Sequence, residues 1–233
     1  MISNEYIRLN RLIATIVFLV SFIVYYDTMA PTVSYWDCGE FIAVSHTLGV
    51  PHPPGSPFFL LLGRIASMLP INQDIAFRVN LLSPISSAFA VMFLYLVIVL
   101  LVANWKGGIK NYQDSLVSFG GGVIGSLTFA FTDSHWFNAV EAEVYAFSTF
   151  FTAIVVWLIL KWNEKADEIG NERYILIIAY MIGLATGLHL LNLLAIPFIA
   201  LIIYFKKYEP NWKTFGYTVV ITGVVFFLIH NVI

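Results

Sequence analysis

The sequence has 233 residues, of which 59% are hydrophobic and 11% charged, with a net charge of −2 and a mean hydropathy of +0.82. A soluble domain is about 25% charged, and a chain this short leaves too much surface exposed to hide so much apolar area from water, so a water-soluble fold is excluded. The near-neutral charge argues against general nucleic-acid binding, and the single cysteine, Cys38, excludes an internal disulfide and a cysteine-based zinc cluster.

A membrane-spanning helix needs roughly 20 apolar residues. Apolar runs predict helices near 9–27, 80–103, 115–132, 144–161, 174–189, 191–205 and 214–230. The fold class is therefore an all-α polytopic membrane protein with about seven transmembrane helices. The first run is followed by Thr28-Met29-Ala30, a poor cleavage site, and is long enough to span, so it reads as a helix and not as a leader. Residues 28–79 then form the one long extramembrane segment. It opens with Tyr35-Trp36-Asp37-Cys38-Gly39-Glu40. Asp37 and Glu40 admit two readings: an Asp cap with Glu three residues later resembles a capping box, and two carboxylates at a membrane surface also suit general-base work. The two are compatible, since a cap can orient a catalytic carboxylate. Phe41 to Leu48 predicts a short helix lying on the membrane. In the next motif, His52-Pro53-Pro54-Gly55-Ser56-Pro57, Ser56 is placed to cap a helix whose first residue is Pro57. That helix, 57–69, is apolar but too short to span, and lies in the interface or packs re-entrantly against the bundle.

The second loop on this side, 133–143, adds Asp133, Glu141 and Glu143. Asn138 and Glu141 have the spacing of another capping box, for the helix at 144–161, while Glu143 stands beside that apolar helix without a nearby base. So many acids, with only Arg64 and Arg78 among them, suit a site that handles a proton, a cation or a sugar hydroxyl; a divalent cation on the acids is left open. Gly120-Gly121-Gly122 with Gly125, and Gly183 with Gly187, sit in apolar runs and fit close helix packing better than phosphate binding. Residues 174–205 are too long for one span. A turn near His189 to Asn192 places Arg8, Arg11, Lys106, Lys110, Lys161, Lys165, Arg173, Lys206, Lys207 and Lys213 on one side. Such concentration marks short cytoplasmic loops, so the N-terminus is expected in the cytoplasm and the acids outside. The turn also puts His189 and Asn192 near the acids. An odd span count and an abrupt apolar end predict a fragment of a longer chain.

Several of these motifs are recognisable together. Trp36-Asp37-Cys38-Gly39-Glu40-Phe41-Ile42 and Leu48-Gly49-Val50-Pro51-His52-Pro53-Pro54-Gly55-Ser56-Pro57 resemble the transmembrane protein 260-like family of protein O-mannosyltransferases, relatives of the membrane glycosyltransferases with the GT-C fold. The resemblance continues through Arg78-Val79-Asn80-Leu81-Leu82-Ser83, Glu141-Ala142-Glu143-Val144-Tyr145-Ala146-Phe147 and Gly187-Leu188-His189-Leu190-Leu191-Asn192. It implies an enzyme that uses a polyprenyl-phosphate sugar, typically mannose, on the outer face, with its first acidic motif at Asp37 and Glu40 and its second at Glu141 and Glu143. Ser56 departs from the pattern, in which an aromatic often follows the glycine.

The chain is thus expected to be a GT-C-like core over 1–233, with 28–79 as its outer catalytic loop. Asp37, helped by Glu40, would take the proton of an acceptor hydroxyl as the sugar C1 is attacked with inversion. Arg78 first, and Arg64 second, would meet the leaving phosphate. His52, Glu141, Glu143, His189 and Asn192 would shape the site or hold sugar hydroxyls. The expected partners are a polyprenyl-phosphate sugar donor, a protein or other hydroxyl acceptor and the lipid bilayer, with no nucleic acid. The expected location is a bacterial inner membrane with the site facing the periplasm. Two alternatives stand beside this reading. A secondary transporter would carry ionisable residues at mid-membrane, where these spans have almost none, and a non-catalytic assembly subunit would not need Asp37, Glu40 and Glu143.

Overall fold

The computed structural model describes residues 4–53 and 55–232; Pro54 of the His-Pro-Pro-Gly segment lies outside the described residues. Among those residues there are helices and no strand. In chain order the helices are α1 (Asn4–Thr28), α2 (Cys38–Thr47), α3 (Pro57–Met68), α4 (Ile75–Asn80), α5 (Leu82–Trp105), α6 (Tyr112–Ala130), α7 (Asp133–Ala139), α8 (Val144–Lys165), α9 (Glu172–Thr186), α10 (Ala195–Lys207) and α11 (Trp212–Val232), with a 3-10 turn at Leu190–Leu194 between α9 and α10. The protein is an all-α polytopic membrane protein.

α5 is the hub and packs against α1, α6 and α8. Its first turns bury Ser83, Ser86, Ser87, Ala88 and Ala90, small side chains that let neighbouring backbones come close. Further along, Val91, Tyr95, Val99 and Ala103 join Ala14 and Val17 of α1 and Phe119 of α6 in one apolar cluster. α4 and α5 together run from Ile75 to Trp105, broken at Leu81. Pro84 explains the break, because it has no N–H to donate to the carbonyl of residue 80 and its ring clashes there. α5 ends at Trp105, where Gly107 and Gly108 take positive φ of 70° and 105° and the Gly108 N–H closes on the Ala103 carbonyl at 2.8 Å. Asn111 then caps α6 by accepting from the Asp114 N–H at 2.9 Å.

Among the described residues, five helices are long and apolar enough to cross a membrane: α1, α4 with α5, α8, the segment Leu190–Lys207, and α11. A sixth is formed if α6 and α7, bent by 69°, count as one broken span. The seventh predicted segment is helical as α9, but its 15 residues extend only about 22 Å at the α-helical rise. That is less than the roughly 30 Å hydrocarbon layer.

The turn between α9 and α10 forms where expected. Lys206 and Lys207 come back to Asp167, in the α8–α9 loop, at 3.0 and 3.4 Å, so the basic loops gather at one end of the bundle. At the other end α2, α3 and α4 pack together and sit on α8 and α9 through Phe41, Phe59, Val79, Phe151 and Leu188. The short helix after Pro57 forms and packs through Phe59 and Leu60 while Leu61, Ile65 and Met68 stay exposed. The Ser56 cap does not form. Ser56 has φ +40°, makes no side-chain cap and sends its hydroxyl to the Leu188 carbonyl at 2.8 Å. Pro57 offers no N–H, and the neighbouring Phe58 N–H binds the Gly187 carbonyl at 2.8 Å, so this corner is stitched to the end of α9.

The glycine expectation divides. A Cβ on Gly122 would lie 2.7 Å from Val99 Cγ2 and 2.9 Å from the Tyr95 ring, and one on Gly125 would lie 2.8 Å from Ile98 Cδ1. On Gly187 it would meet Phe58 Cβ at 3.0 Å, whereas Gly120, Gly121 and Gly183 face open space. Gly122→Ala is therefore expected to overpack the α5–α6 contact by about 1–3 kcal/mol, lowering the melting temperature in detergent. Gly121→Ala should leave it unchanged or raise it through helix propensity, an effect of up to about 1 kcal/mol.

Candidate active site

The site is built where the first outer segment meets the start of α8. Asn80, fully buried at the end of α4, joins the two. Its amide nitrogen donates to the carbonyls of Ala30 and Thr32 at 2.8 and 2.9 Å, and its oxygen accepts from the Ala142 N–H at 3.1 Å. The Ala30 N–H adds a bond to the Val140 carbonyl at 2.8 Å. The segment leading to Asp37 and the segment Glu141-Ala142-Glu143 are thereby held side by side.

Asp37 precedes α2, and its neighbour Trp36 is 83% exposed with φ +61°. A non-glycine residue held in that region costs about 1–3 kcal/mol, and such strain clusters at functional sites. Of the two readings of Asp37 and Glu40, the capping box does not form. Asp37 has αR dihedrals and caps no N–H with its side chain. Glu40 turns away from the helix start to His52, accepting from its backbone N–H at 2.8 Å and pairing with Nδ1 at 2.6 Å. His52 Nε2 then lies 4.0 Å from Asp37 Oδ2, beyond a hydrogen bond. The Glu40 hydrogen bond raises the His52 pKa, and the same bond lowers that of Glu40. Asp37, Glu40 and His52 each offer one ligand atom, all within 4.8 Å of one another. A ring with one nitrogen fixed by a carboxylate and the other presented beside a second carboxylate is also how histidine is oriented toward a metal, so these three residues fit a divalent cation.

Behind Asp37 the acids are buried. Glu143 is 7% exposed and Cys38 is fully buried, with the thiol donating to Glu143 Oε1 at 3.7 Å. Burial first, then the Asp37 charge, pushes Glu143 from 4.5 up to about 7. Burial, reinforced by the carboxylates of Glu141 and Glu143, pushes the Cys38 thiol well above its usual range, so it stays protonated as a donor. Glu141 Oε2 accepts from the Ser34 hydroxyl, while its buried Oε1 has no partner among the described residues. The capping box expected from Asn138 and Glu141 is absent: Asn138 donates to the Ser134 carbonyl at 2.8 Å, and Glu143 takes the N-cap position of α8 without a side-chain cap. Asn138 lies inside α7, and the non-helical residues 140–143 separate it from the start of α8.

Asp37 and Glu143 open onto a cleft of about 200 Å³ walled by Trp36, Phe137, Asn138 and Tyr145. His189 stands behind the wall, its ring 5.2 Å from that of Tyr145. Its Nδ1 accepts from the Leu191 N–H at 3.1 Å, and burial lowers its pKa. Asn192 is buried and fully used, donating to the Ala185 and His189 carbonyls at 3.0 and 2.9 Å and accepting from Thr152 at 3.1 Å. It fixes the α9 end onto α8. The two arginines lie outside the cleft wall: Arg64 donates to the His46 carbonyl, and Arg78 to those of Leu69 at 3.0 Å and Asp74 at 3.4 Å. The structure thus brings together Asp37, Glu40, His52, Glu141 and Glu143, sets His189 one ring away, and leaves Arg64, Arg78 and Asn192 in backbone-holding contacts. Asn80, Trp36 and Tyr145 stand in the motifs of the resemblance without an expected role there, and Ser34 and Phe137 stand outside those motifs. The signals for Asn80 are its place in the Arg78-Val79-Asn80 motif and an amide among apolar residues; Ser34 carries none.

These features define a polytopic helical membrane protein with an acid–aromatic cleft at one end of its bundle. Residues 37–212 match the family described as Protein O-mannosyl-transferase TMEM260 N-terminal domain. The chain belongs to that family. A Dictyostelium discoideum protein named Protein O-mannosyl-transferase tmem260 is 31% identical over 213 residues, 85% of this chain and 24% of that protein. A Mus musculus protein named Protein O-mannosyl-transferase TMEM260 is 29% identical over 149 residues, 64% of this chain and 19% of that protein. The chain therefore spans a quarter or less of these relatives' length. Both are eukaryotic, and the bacterial inner membrane finds no support in them. No solved structure matches the chain.

The raised Glu143 pKa has a stability consequence. Between 4.5 and about 7 the folded protein keeps a proton that the unfolded chain releases. Glu143 therefore contributes stability that is full below that window and lost as pH rises through it. The difference in melting temperature between the parent and Glu143→Gln should change across this window and be flat above it; a pH-independent difference would refute the buried-acid assignment.

Proposed function

We propose that this chain is the transmembrane catalytic core of a protein O-mannosyltransferase of GT-C type, transferring mannose from a polyprenyl-phosphate donor to a protein hydroxyl on the extracytoplasmic side. The observation that carries the reading is the cleft that places the Asp37 carboxylate beside the aromatic rings of Trp36, Phe137 and Tyr145. Aromatic faces meet the C–H faces of a sugar, while carboxylates and the Asn138 amide meet its hydroxyls. The family match and the names of both relatives point to the same class.

In the transfer, the acceptor oxygen attacks the sugar C1 from the face opposite the leaving phosphate. The C1–O bond to phosphate breaks, the configuration inverts, and the hydroxyl proton passes to Asp37. Asp37 suits this role because its carboxylate is 59% exposed and its nearest basic group is His52 at 4.0 Å, so a lone pair stays available. Glu40 is a positioning residue acting through His52. Glu143 is the protonatable back wall, and Glu141 braces the Ser34 segment. Arg78 spends some of its five donors on the Leu69 and Asp74 carbonyls and keeps the rest for the departing phosphate; Arg64 is the second candidate.

The test uses the full-length protein in membranes supplied with labelled polyprenyl-phosphate mannose and a protein acceptor. Asp37→Asn keeps size and removes the proton acceptor, so transfer should fall by about 100-fold or more with expression unchanged. Near-normal transfer would remove Asp37 as the base. Arg78→Lys keeps charge but loses the planar fork. It should weaken donor binding with little change in melting temperature; a lower melting temperature with unchanged donor affinity would leave Arg78 as a backbone clasp alone.

A further inference from the structure

At the opposite end of the bundle from the acids, a cavity of about 500 Å³ opens between α1, α5 and α8. Its walls are apolar over Leu96, Val99, Leu100, Phe119 and Trp157, and it ends in the polar groups of Asn10, Arg11 and Lys161. Tyr95 donates to Asn10 Oδ1 at 2.9 Å, which fixes that amide in place. Lys161 reaches Glu164 at 2.7 Å. Arg11 differs: it is exposed, and its guanidinium has neither an acid nor a hydrogen-bond acceptor among the described residues. The position is the end where the basic loops gather, as the contacts of Lys206 and Lys207 with Asp167 establish. In helices of spanning length, such ends lie near headgroup depth, and the aromatic rings of Tyr6 and Trp157 on the same cavity fit that level.

The two halves of this lining ask for different chemistry. A wholly apolar occupant would fill the slot and make no use of the Arg11 charge at its rim. A free phosphate would satisfy Arg11 and leave the slot over Leu96, Leu100 and Trp157 unfilled. A molecule with an anionic phosphate on an acyl chain satisfies both, and basic pockets between transmembrane helices are known to take such headgroups. We propose that this groove is a binding site for an anionic glycerophospholipid, with its phosphate on Arg11, assisted by Lys161 and Asn10, and an acyl chain along Leu96, Leu100 and Trp157. Arg11 and Lys161 lie on α1 and α8, 150 residues apart in the chain, so the lipid would bridge these two helices. The site is separate from the acid cleft and does not depend on the transferase reading.

The test reconstitutes the full-length protein in phosphatidylcholine vesicles doped either with phosphatidylglycerol or with phosphatidylcholine carrying the same brominated acyl chains. Quenching of Trp157 is read as the difference between the parent and Trp157→Phe. Brominated phosphatidylglycerol should quench Trp157 at lower mole fraction than brominated phosphatidylcholine. Arg11→Gln should weaken that preference by about fivefold, the effect of removing one cationic contact near the membrane surface, and Arg11→Lys should restore most of it. Lys161→Gln provides a second variant, expected to have a smaller effect because Glu164 already holds that ammonium. Equal quenching by the two lipids, or an unchanged preference in Arg11→Gln, would overturn the proposal in favour of simple acyl filling. Loss of the preference on adding inorganic phosphate at constant ionic strength would overturn it in favour of a free-phosphate site.

Discussion

The candidate site depends on one buried amide. Asn80 binds the carbonyls of Ala30 and Thr32 and the N–H of the buried Ala142, three backbone groups from two distant segments. Unsatisfied backbone polar groups cost several kcal/mol where water is excluded, so the amide satisfies the buried Ala142 N–H and ties its segment to the largely exposed one that leads to Asp37. Asp37 follows one of these segments, and Glu141 and Glu143 flank Ala142 in the other. The Ala30 N–H to the Val140 carbonyl, Ser34 to Glu141 and Cys38 to Glu143 add further links between the same two segments.

Around that joint the bundle supplies rigidity. The serine and alanine run at the start of α5 and the close approach of Gly122 to Tyr95 and Val99 draw α1, α6 and α8 onto one central helix. In a membrane, where lipid tails are as apolar as leucine, association relies on such close van der Waals contact and not on burial from water. The small helices α2, α3 and α4 add a layer over the end of α8 and α9, held by the bonds of Ser56 to Leu188 and of Phe58 to Gly187. The cleft consequently rests on packed helices even though Asp37 itself sits in a short connection.

The electrostatics divide along the same axis. Acids crowd the cleft end, where burial and mutual repulsion hold Glu143 partly protonated and keep the Cys38 thiol neutral, while Glu40 finds its partner in His52 and Asp37 stays half-exposed. Lysines gather at the other end, several paired with Glu164, Glu168 and Asp167. Arg11, with no such acid, faces a cavity with apolar walls. One end of the molecule therefore concentrates carboxylates, and the other concentrates lysine and arginine.

By itself, the sequence determined the helical class, the apolar segments, the division between a basic and an acidic end, and the turn near His189, because these follow from composition, from the length of apolar runs and from the placement of lysine and arginine. It also picked out the short helices after Asp37 and Pro57 and most of the acidic residues of the cleft. It could not decide what each polar side chain would bind, since an Asp-x-x-Glu or Ser-Pro spacing is equally compatible with a local cap and with a distant partner. Tertiary structure gave Glu40 to His52, Ser56 to Leu188 and Asn192 to the end of α9; it set Asn138 inside α7, where it lines the cleft and caps nothing. It also turned Asn80 from one amide in an apolar stretch into the link between two loops. Local spacing sets which contacts are within reach, and only the packing of distant segments decides which buried donor meets which acceptor.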